Sequence, residues 1–177
     1  MGQRPGFERD DKLARDRDLL EALQRYERLH PAPGHILRWH FDGMRKLYSE
    51  IDADRAETII LHGDFAPWNI LYERGELSGI YDFELAHLNF RVSDFALSWR
   101  GYQDDVIVGY MERYPLSELD QRMIVPTFWS WLFKGVKDEI VNWERNRSAP
   151  PNFEWQIKKL LVRSARYPAD RYPEAHL

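Results

Sequence analysis

Cysteine is absent from the 177 residues, which excludes disulfides and thiolate metal sites and is compatible with a cytoplasmic setting. The six histidines lack the close spacing of a zinc-ligand set. No apolar run approaches the ~20 residues that a membrane-spanning helix needs. Met1-Gly2 lacks the serine or threonine of a myristoylation signal, because Gly6 occupies that position. Basic residues are not in excess: 25 Lys and Arg stand against 29 Asp and Glu, for a formal charge of −4 at pH 7. That balance argues against a nucleic-acid partner and suits a neutral or cationic small molecule.

What is present argues for a packed globule. Hydrophobic residues make up 44% of the chain and aromatics 14%, with seven Trp, a composition far from that of disordered chains. The length fits one domain able to bury a core. Residues 1–7, punctuated by Gly and Pro, are expected to fray. Residues 8–29 read as one charged helix with Leu13, Leu19, Leu20, Leu23 and Tyr26 on one stripe. His30-Pro31-Ala32-Pro33-Gly34 reads as a break. A second helix is expected over 35–51 with Leu37, Phe41, Met44, Leu47 and Tyr48 inward, followed by a polar connection over 52–57.

The centre of the chain reads differently. Ile59-Ile60-Leu61 is expected to be a short buried strand delivering its end into a polar loop that carries His62, Asp64 and Asn69. A second apolar run over 70–72 leaves that loop, Arg74-Gly75 signals a turn, and residues 77–81 return as a third strand ending at Asp82. Two strand ends thereby bring two carboxylates and an amide together. Such a set suits phosphoryl transfer, which asks a protein mainly to position a hydroxyl and neutralise charge. Asp64 is the candidate to accept the acceptor hydroxyl's proton or orient that hydroxyl. Asn69 and Asp82 offer hard oxygen ligands suited to Mg²⁺. His62 reads as a structural hydrogen-bonding residue rather than a metal ligand.

The order and spacing of these residues resemble a known family. His62-Gly63-Asp64-x-x-x-x-Asn69 keeps the spacing of the protein-kinase catalytic loop with Gly in place of Arg, and Asp82-Phe83-Glu84 stands where D-F-G would. The combination resembles the aminoglycoside phosphotransferase and choline-kinase-like family, whose loop is H-G-D-x-x-x-x-N followed by I-D-F/W-E/D. Arg91-Val92-Ser93-Asp94-Phe95-Ala96 is similar to the family's D-P-R-x-x-D-L-A segment. By this resemblance Asp94 holds the catalytic-loop backbone from the start of the next helix, where it also suits capping.

The resemblance implies a mostly α-helical α+β fold: the C-terminal lobe of a protein-kinase-like fold, with a small β-hairpin carrying the catalytic loop. It implies transfer of a phosphoryl group from ATP or GTP, with Mg²⁺, to a hydroxyl of a small molecule. Aminoglycoside, choline-like amine, amino alcohol and sugar acceptors all stay open. Within a single lobe spanning 1–177, a helical lead-in (1–57), the catalytic and metal-binding loops (58–96), a helical substrate-side subdomain (97–166) and a tail (167–177) are expected. Trp68 is read either as stacking on a substrate ring or as packing under the loop. Glu84 is read as supporting the metal or as part of its turn. Asp104 and Asp105, with other acidic residues of the later helices, either hold a cationic acceptor or form a solvated face.

A nucleotide-covering sheet with its Gly-rich loop is not legible before His62. No G-x-G-x-x-G occurs there, and the lysines Lys12 and Lys46 fall in helical patterns. The N-terminal lobe is therefore expected to be missing from this stretch or supplied in trans. The alternatives are a non-catalytic, pseudokinase-like binding lobe and one half of a split kinase. For the latter, an exposed apolar edge near residues 59–61 or the first helix is expected.

Downstream, helices are expected over 93–101 and 103–114. Ser117 is expected as an N-cap with Asp120 imitating the Glu of a capping box. Pro126 is expected to kink or end that helix, and an aromatic-rich helix to follow over 127–145. A break over 149–152, a last helix over 153–166 and the repeated Arg-Tyr-Pro tail complete the chain.

Overall fold

A computed structural model of the protein describes residues 9–96, 104–146 and 149–161. The expected fraying of 1–7, the far part of the 93–101 helix, the end of the last helix and the tail lie outside the described residues. Within them the chain is mostly helical with two small antiparallel sheets, an α+β arrangement. No described helix is long and apolar enough to cross a membrane.

The first expected helix is two. α1 (Asp10–Leu13) stops, and α2 (Arg17–Leu29) restarts with Asp16 as N-cap, its side chain accepting from the Leu19 amide at 2.9 Å. Asp16 also takes a hydrogen bond from Lys137 Nζ at 2.5 Å. A side chain that satisfies the backbone this way competes with an uninterrupted helix, and here it wins. The five-residue break after α2 shrinks to His30 alone. Pro31 sits at the first position of α3 (Pro31–Ser49), where it has no amide to lose. Gly34 lets α3 lie against α2, since a Cβ there would fall 2.3 Å from Glu27 Cα.

The core forms where the stripes of these helices meet α5 (Glu118–Asn146). Leu23, Leu37, Phe41, Met44, Phe133, Val136 and Ile140 are fully buried, and Phe41 meets Phe133 edge-on with ring centroids 5.3 Å apart. Phe153 and Leu160, flanking and within α6 (Glu154–Leu161), close the same core. α4 (Asp104–Arg113) contributes the buried Ile107.

At the start of α5 the capping box forms: Asp120 N donates to Ser117 Oγ at 3.1 Å, and Ser117 N to Asp120 Oδ2 at 3.0 Å. Pro126 does not end the helix. An interior proline costs about 3 kcal/mol, but Met123, Ile124, Phe128, Trp129, Leu132 and Phe133 are buried on the same helix. Each is worth about 1.5–3 kcal/mol when fully buried, so continuity prevails.

The strands stand beside this helical body. β2 (Ile70–Glu73) and β3 (Glu76–Ile80) form the expected hairpin around Arg74 and Gly75, both at positive φ. β1 (Thr58–Leu61) pairs with neither of them. Its partner is β4 (His87–Phe90), a strand that the sequence pattern does not announce, in the register Ile60↔Leu88 and Leu61↔His87. Nor is β1 buried along its length. Leu61 is buried, whereas Ile60 is 76% exposed and its partner Leu88 is 64% exposed.

One buried carboxylate ties the two parts together. Asp10 accepts from Lys134 Nζ at 2.6 Å, from Ser93 Oγ at 2.8 Å and from Asn89 Nδ2 at 3.2 Å. It thereby joins α1, α5, β4 and the turn after β4, next to Asp94.

Candidate active site

The loop between β1 and β2 begins where Leu61 enters the core and releases His62. Asp94 grips it from 31 and 32 positions downstream, accepting from the Gly63 amide at 3.0 Å and the His62 amide at 2.9 Å. Burial pushes the Asp94 carboxyl above the usual aspartate range, and the two amides oppose that shift without cancelling it. Gly63 has φ +83°, and a Cβ there would lie 2.2 Å from the Leu85 carbonyl oxygen. Only glycine accommodates both the conformation and the close approach.

His62 is held in one tautomer by its partners. Its Nε2–H donates to the Tyr81 carbonyl at 2.8 Å, and its Nδ1 accepts from the Asp64 amide at 3.3 Å. The ring lies against Phe83, with centroids 4.5 Å apart. His62 thus stitches the first loop to the end of β3 as a neutral imidazole, with both ring nitrogens occupied.

Asp64 and Asn69 meet directly. Pro67–Asn69 form a short 3₁₀ turn that buries Asn69, whose Nδ2 donates to the Asp64 carbonyl at 2.8 Å and to Asp64 Oδ2 at 2.9 Å. The Trp68 indole donates to the same Oδ2 at 3.2 Å. Oδ2 is therefore doubly engaged. Among the described residues, Asp64 Oδ1 and Asn69 Oδ1 take part in none of these bonds. The Tyr81 amide donates to the Asn69 carbonyl at 3.1 Å, so the hairpin register extends one pair beyond Ile70↔Ile80.

Asp82 follows immediately, in the left-handed conformation at φ 65°, as the residue before the 3₁₀ turn Phe83–Leu85. Its side chain is exposed and, among the described residues, without a hydrogen-bond or ion-pair partner. A left-handed aspartate is tolerated but sparsely populated, and strain of this kind gathers at functional sites. Glu84 lies within the turn, also exposed. Among the described residues no three His, Cys, Asp or Glu side chains converge as a metal cage. The oxygen donors at the strand ends beside Asp64 are Asn69 Oδ1 and the carboxylate of Asp82, which follows the Tyr81 that bonds Asn69.

The other expected site residues are placed as follows. Trp68 does not pack under the loop; it is 52% exposed, with its N–H turned to Asp64. Asp104 and Asp105 open α4, where Asp105 is exposed with no hydrogen bond to the Asp64 loop among the described residues. Tyr81 is a site residue that its position in the sequence pattern does not single out. Its carbonyl holds His62, and its hydroxyl donates to the Trp68 carbonyl. A signal for it exists, since the Arg74-Gly75 turn sets Tyr81 across from Asn69.

Chemically, the arrangement fixes one carboxylate oxygen, leaves the other open, and sets a second carboxylate and an amide oxygen at the adjoining strand ends. A family model described as the phosphotransferase enzyme family matches residues 2–123, a stretch that contains every residue of this cluster. No curated protein and no solved structure matches the chain.

Proposed function

The chain belongs to the phosphotransferase enzyme family, and from that premise we propose that it transfers the γ-phosphoryl group of ATP or GTP to a hydroxyl of a small molecule. The acceptor oxygen attacks the γ-phosphorus, the bond to the nucleoside diphosphate breaks, and the hydroxyl proton passes to Asp64. The observation that carries this reading is the double donation of Asn69 Nδ2 to Asp64. It uses both amide hydrogens, so Asn69 Oδ1 is left to ligate, and it turns one Asp64 oxygen away from the approach of a substrate.

Asn69 Oδ1 and the Asp82 carboxylate are the hard oxygens that would hold Mg²⁺, and their chemistry fits that ion. Held there, the ion would supply positive charge against the phosphoryl group as it transfers. His62, Asp94 and Glu84 support the loops in this reading. The exposed ring of Trp68 borders the acceptor, and Asp104 and Asp105 would favour a cationic one. The acceptor is neutral or cationic, in keeping with the acidic balance of the chain.

The same proposal takes the chain as a single C-terminal-type lobe with its catalytic loop on the β2–β3 hairpin, acting in the cytoplasm. A nucleotide-covering lobe, in the same polypeptide or in trans, would sit over the exposed Ile60, Leu71, Tyr72, Leu77 and Leu88. Ile60 pairs with Leu88 across β1 and β4, and Tyr72 with Leu77 across β2 and β3, so exposed apolar residues stand in neighbouring pairs, which favours a partner there.

The test is a titration of Mg²⁺ with ATP, then GTP, followed by Trp fluorescence, with Asp82→Asn as control. Saturable, magnesium-dependent binding that the control loses is the expected result. No binding up to millimolar nucleotide would sink the claim that this chain by itself is a kinase and would leave a non-catalytic binding lobe, or half of a split enzyme.

A further inference from the structure

Trp68 stands half exposed on the loop between β1 and β2, held there by hydrogen bonds. A large apolar ring standing 52% exposed contributes little to the core, yet the residue is anchored at both ends. Pro67 restricts the turn that carries it, the Tyr81 hydroxyl donates to its carbonyl, and its indole N–H donates to Asp64 Oδ2 at 3.2 Å. Indole has one polar hydrogen and no acceptor, and here it is aimed at the carboxylate oxygen that Asn69 already holds at 2.9 Å.

We propose that Trp68 is a positioning residue for Asp64: its N–H and that of Asn69 together lock Oδ2, so that Oδ1 is the oxygen presented to the acceptor hydroxyl. This rests on the role given to Asp64 above. An aspartate side chain turns about two bonds. A single donor on Oδ2 leaves the carboxylate plane free to swing about that contact, whereas two donors from different directions fix the plane. The benefit of holding a reacting group in one geometry is lost when it swings, even if substrate binding is unchanged. Trp68 therefore acts on turnover through Asp64 rather than on nucleotide affinity.

The experiment uses the full chain with Trp68→Phe, which keeps an aromatic ring and removes the N–H donor together with the second ring of the indole. The first readout is independent of activity. Among the indole N–H resonances of the seven Trp, the one lost in Trp68→Phe identifies Trp68. Asp64→Asn is expected to move that resonance and speed its exchange with solvent severalfold; an unmoved resonance overturns the proposal.

The second readout is MgATP turnover with water as the acceptor. Trp68→Phe is expected to lower kcat about tenfold, the rate equivalent of one hydrogen bond to a charged group, with KM for MgATP unchanged. Combined with Asp64→Asn it should cause no further loss. A loss of equal size in the Asp64→Asn background, or a change in KM alone, overturns the positioning role. If Asp64→Asn abolishes turnover and Trp68→Phe leaves it intact, the proposal alone fails. If the unsubstituted chain shows no turnover, the claim that this chain by itself is a kinase fails and the resonance readout alone decides the positioning role. If Asp64→Asn does not reduce turnover, the functional reading fails and takes the proposal with it.

Discussion

Asp94 holds the His62 amide, and from the turn after β4 it sets where the loop begins. Its Oδ2 accepts from that amide at 2.9 Å while its Oδ1 accepts from Gly63 at 3.0 Å. Ser93, beside it, is tied through Asp10 to Lys134 on α5. The loop is thus referenced to the helical body through one carboxylate.

Asp94→Asn should therefore loosen the loop without emptying the core. Asparagine offers one acceptor oxygen for two amides, and the unmet amide costs about 1–3 kcal/mol. The pH dependence has a definite sign. The folded carboxyl titrates above its ordinary value of 3.8 because burial outweighs the amide bonds. Its contribution is then full below that value and is lost as pH rises through the raised one. In urea unfolding from about pH 3.5 to 7, the stability gap between the unsubstituted protein and Asp94→Asn should narrow as pH rises. A gap that widens would refute the assignment.

Gly63→Ala should be more damaging than a glycine-to-alanine change on a surface loop. The residue has φ +83°, and the added carbon would meet the Leu85 carbonyl oxygen at 2.2 Å. A left-handed alanine costs about 1–2 kcal/mol before any clash. At about 2–4 °C per kcal/mol for a chain of this size, Tm should fall by at least about 2 °C from the backbone strain, and further from the clash. An unchanged Tm would show that the loop does not rest on Leu85.

His40 gives the helical body its own acid sensitivity. It is 1% exposed, its Nδ1–H donates to the Ile36 carbonyl at 2.8 Å, and its ring lies edge-on to Trp129. Burial lowers its pKa from 6.5 to about 4. A depressed histidine contributes stability that is present above 6.5 and lost as pH falls through about 4. The contribution is on the order of 3 kcal/mol. Thermal melts of His40→Phe should lose most of the decline that the unsubstituted protein shows across that window; parallel declines would place the acid-sensitive group elsewhere.

Several features of the fold are legible in the amino-acid sequence because they are settled within a few residues. The Arg74-Gly75 turn permits positive φ where the hairpin needs it, and Ser117 with Asp120 closes a capping box across three positions. Pro126 misleads for the same reason. Its cost is local and readable, whereas the burial that outweighs it comes from helices far away in sequence. The split between α1 and α2 is set by Asp16 capping the Leu19 amide, and Lys137, 121 positions away, adds a second bond to that carboxylate.

At the site, the pattern of Asp64, Asn69, Asp82 and Asp94 is visible in the sequence as types and spacings, and with it the membership of the phosphotransferase enzyme family. Those spacings follow from chain geometry: a tight turn after Asp64 brings Asn69 onto it, and a two-strand return sets Tyr81, the neighbour of Asp82, across from Asn69. How each is held is settled by the folded chain. The pairing of β1 with β4, the reach of Asp94 back to the His62 and Gly63 amides, the neutral tautomer of His62 and the indole N–H on Asp64 all depend on directions in space. Separation along the chain does not encode direction; packing against α5 and the close approach of Gly63 to Leu85 do.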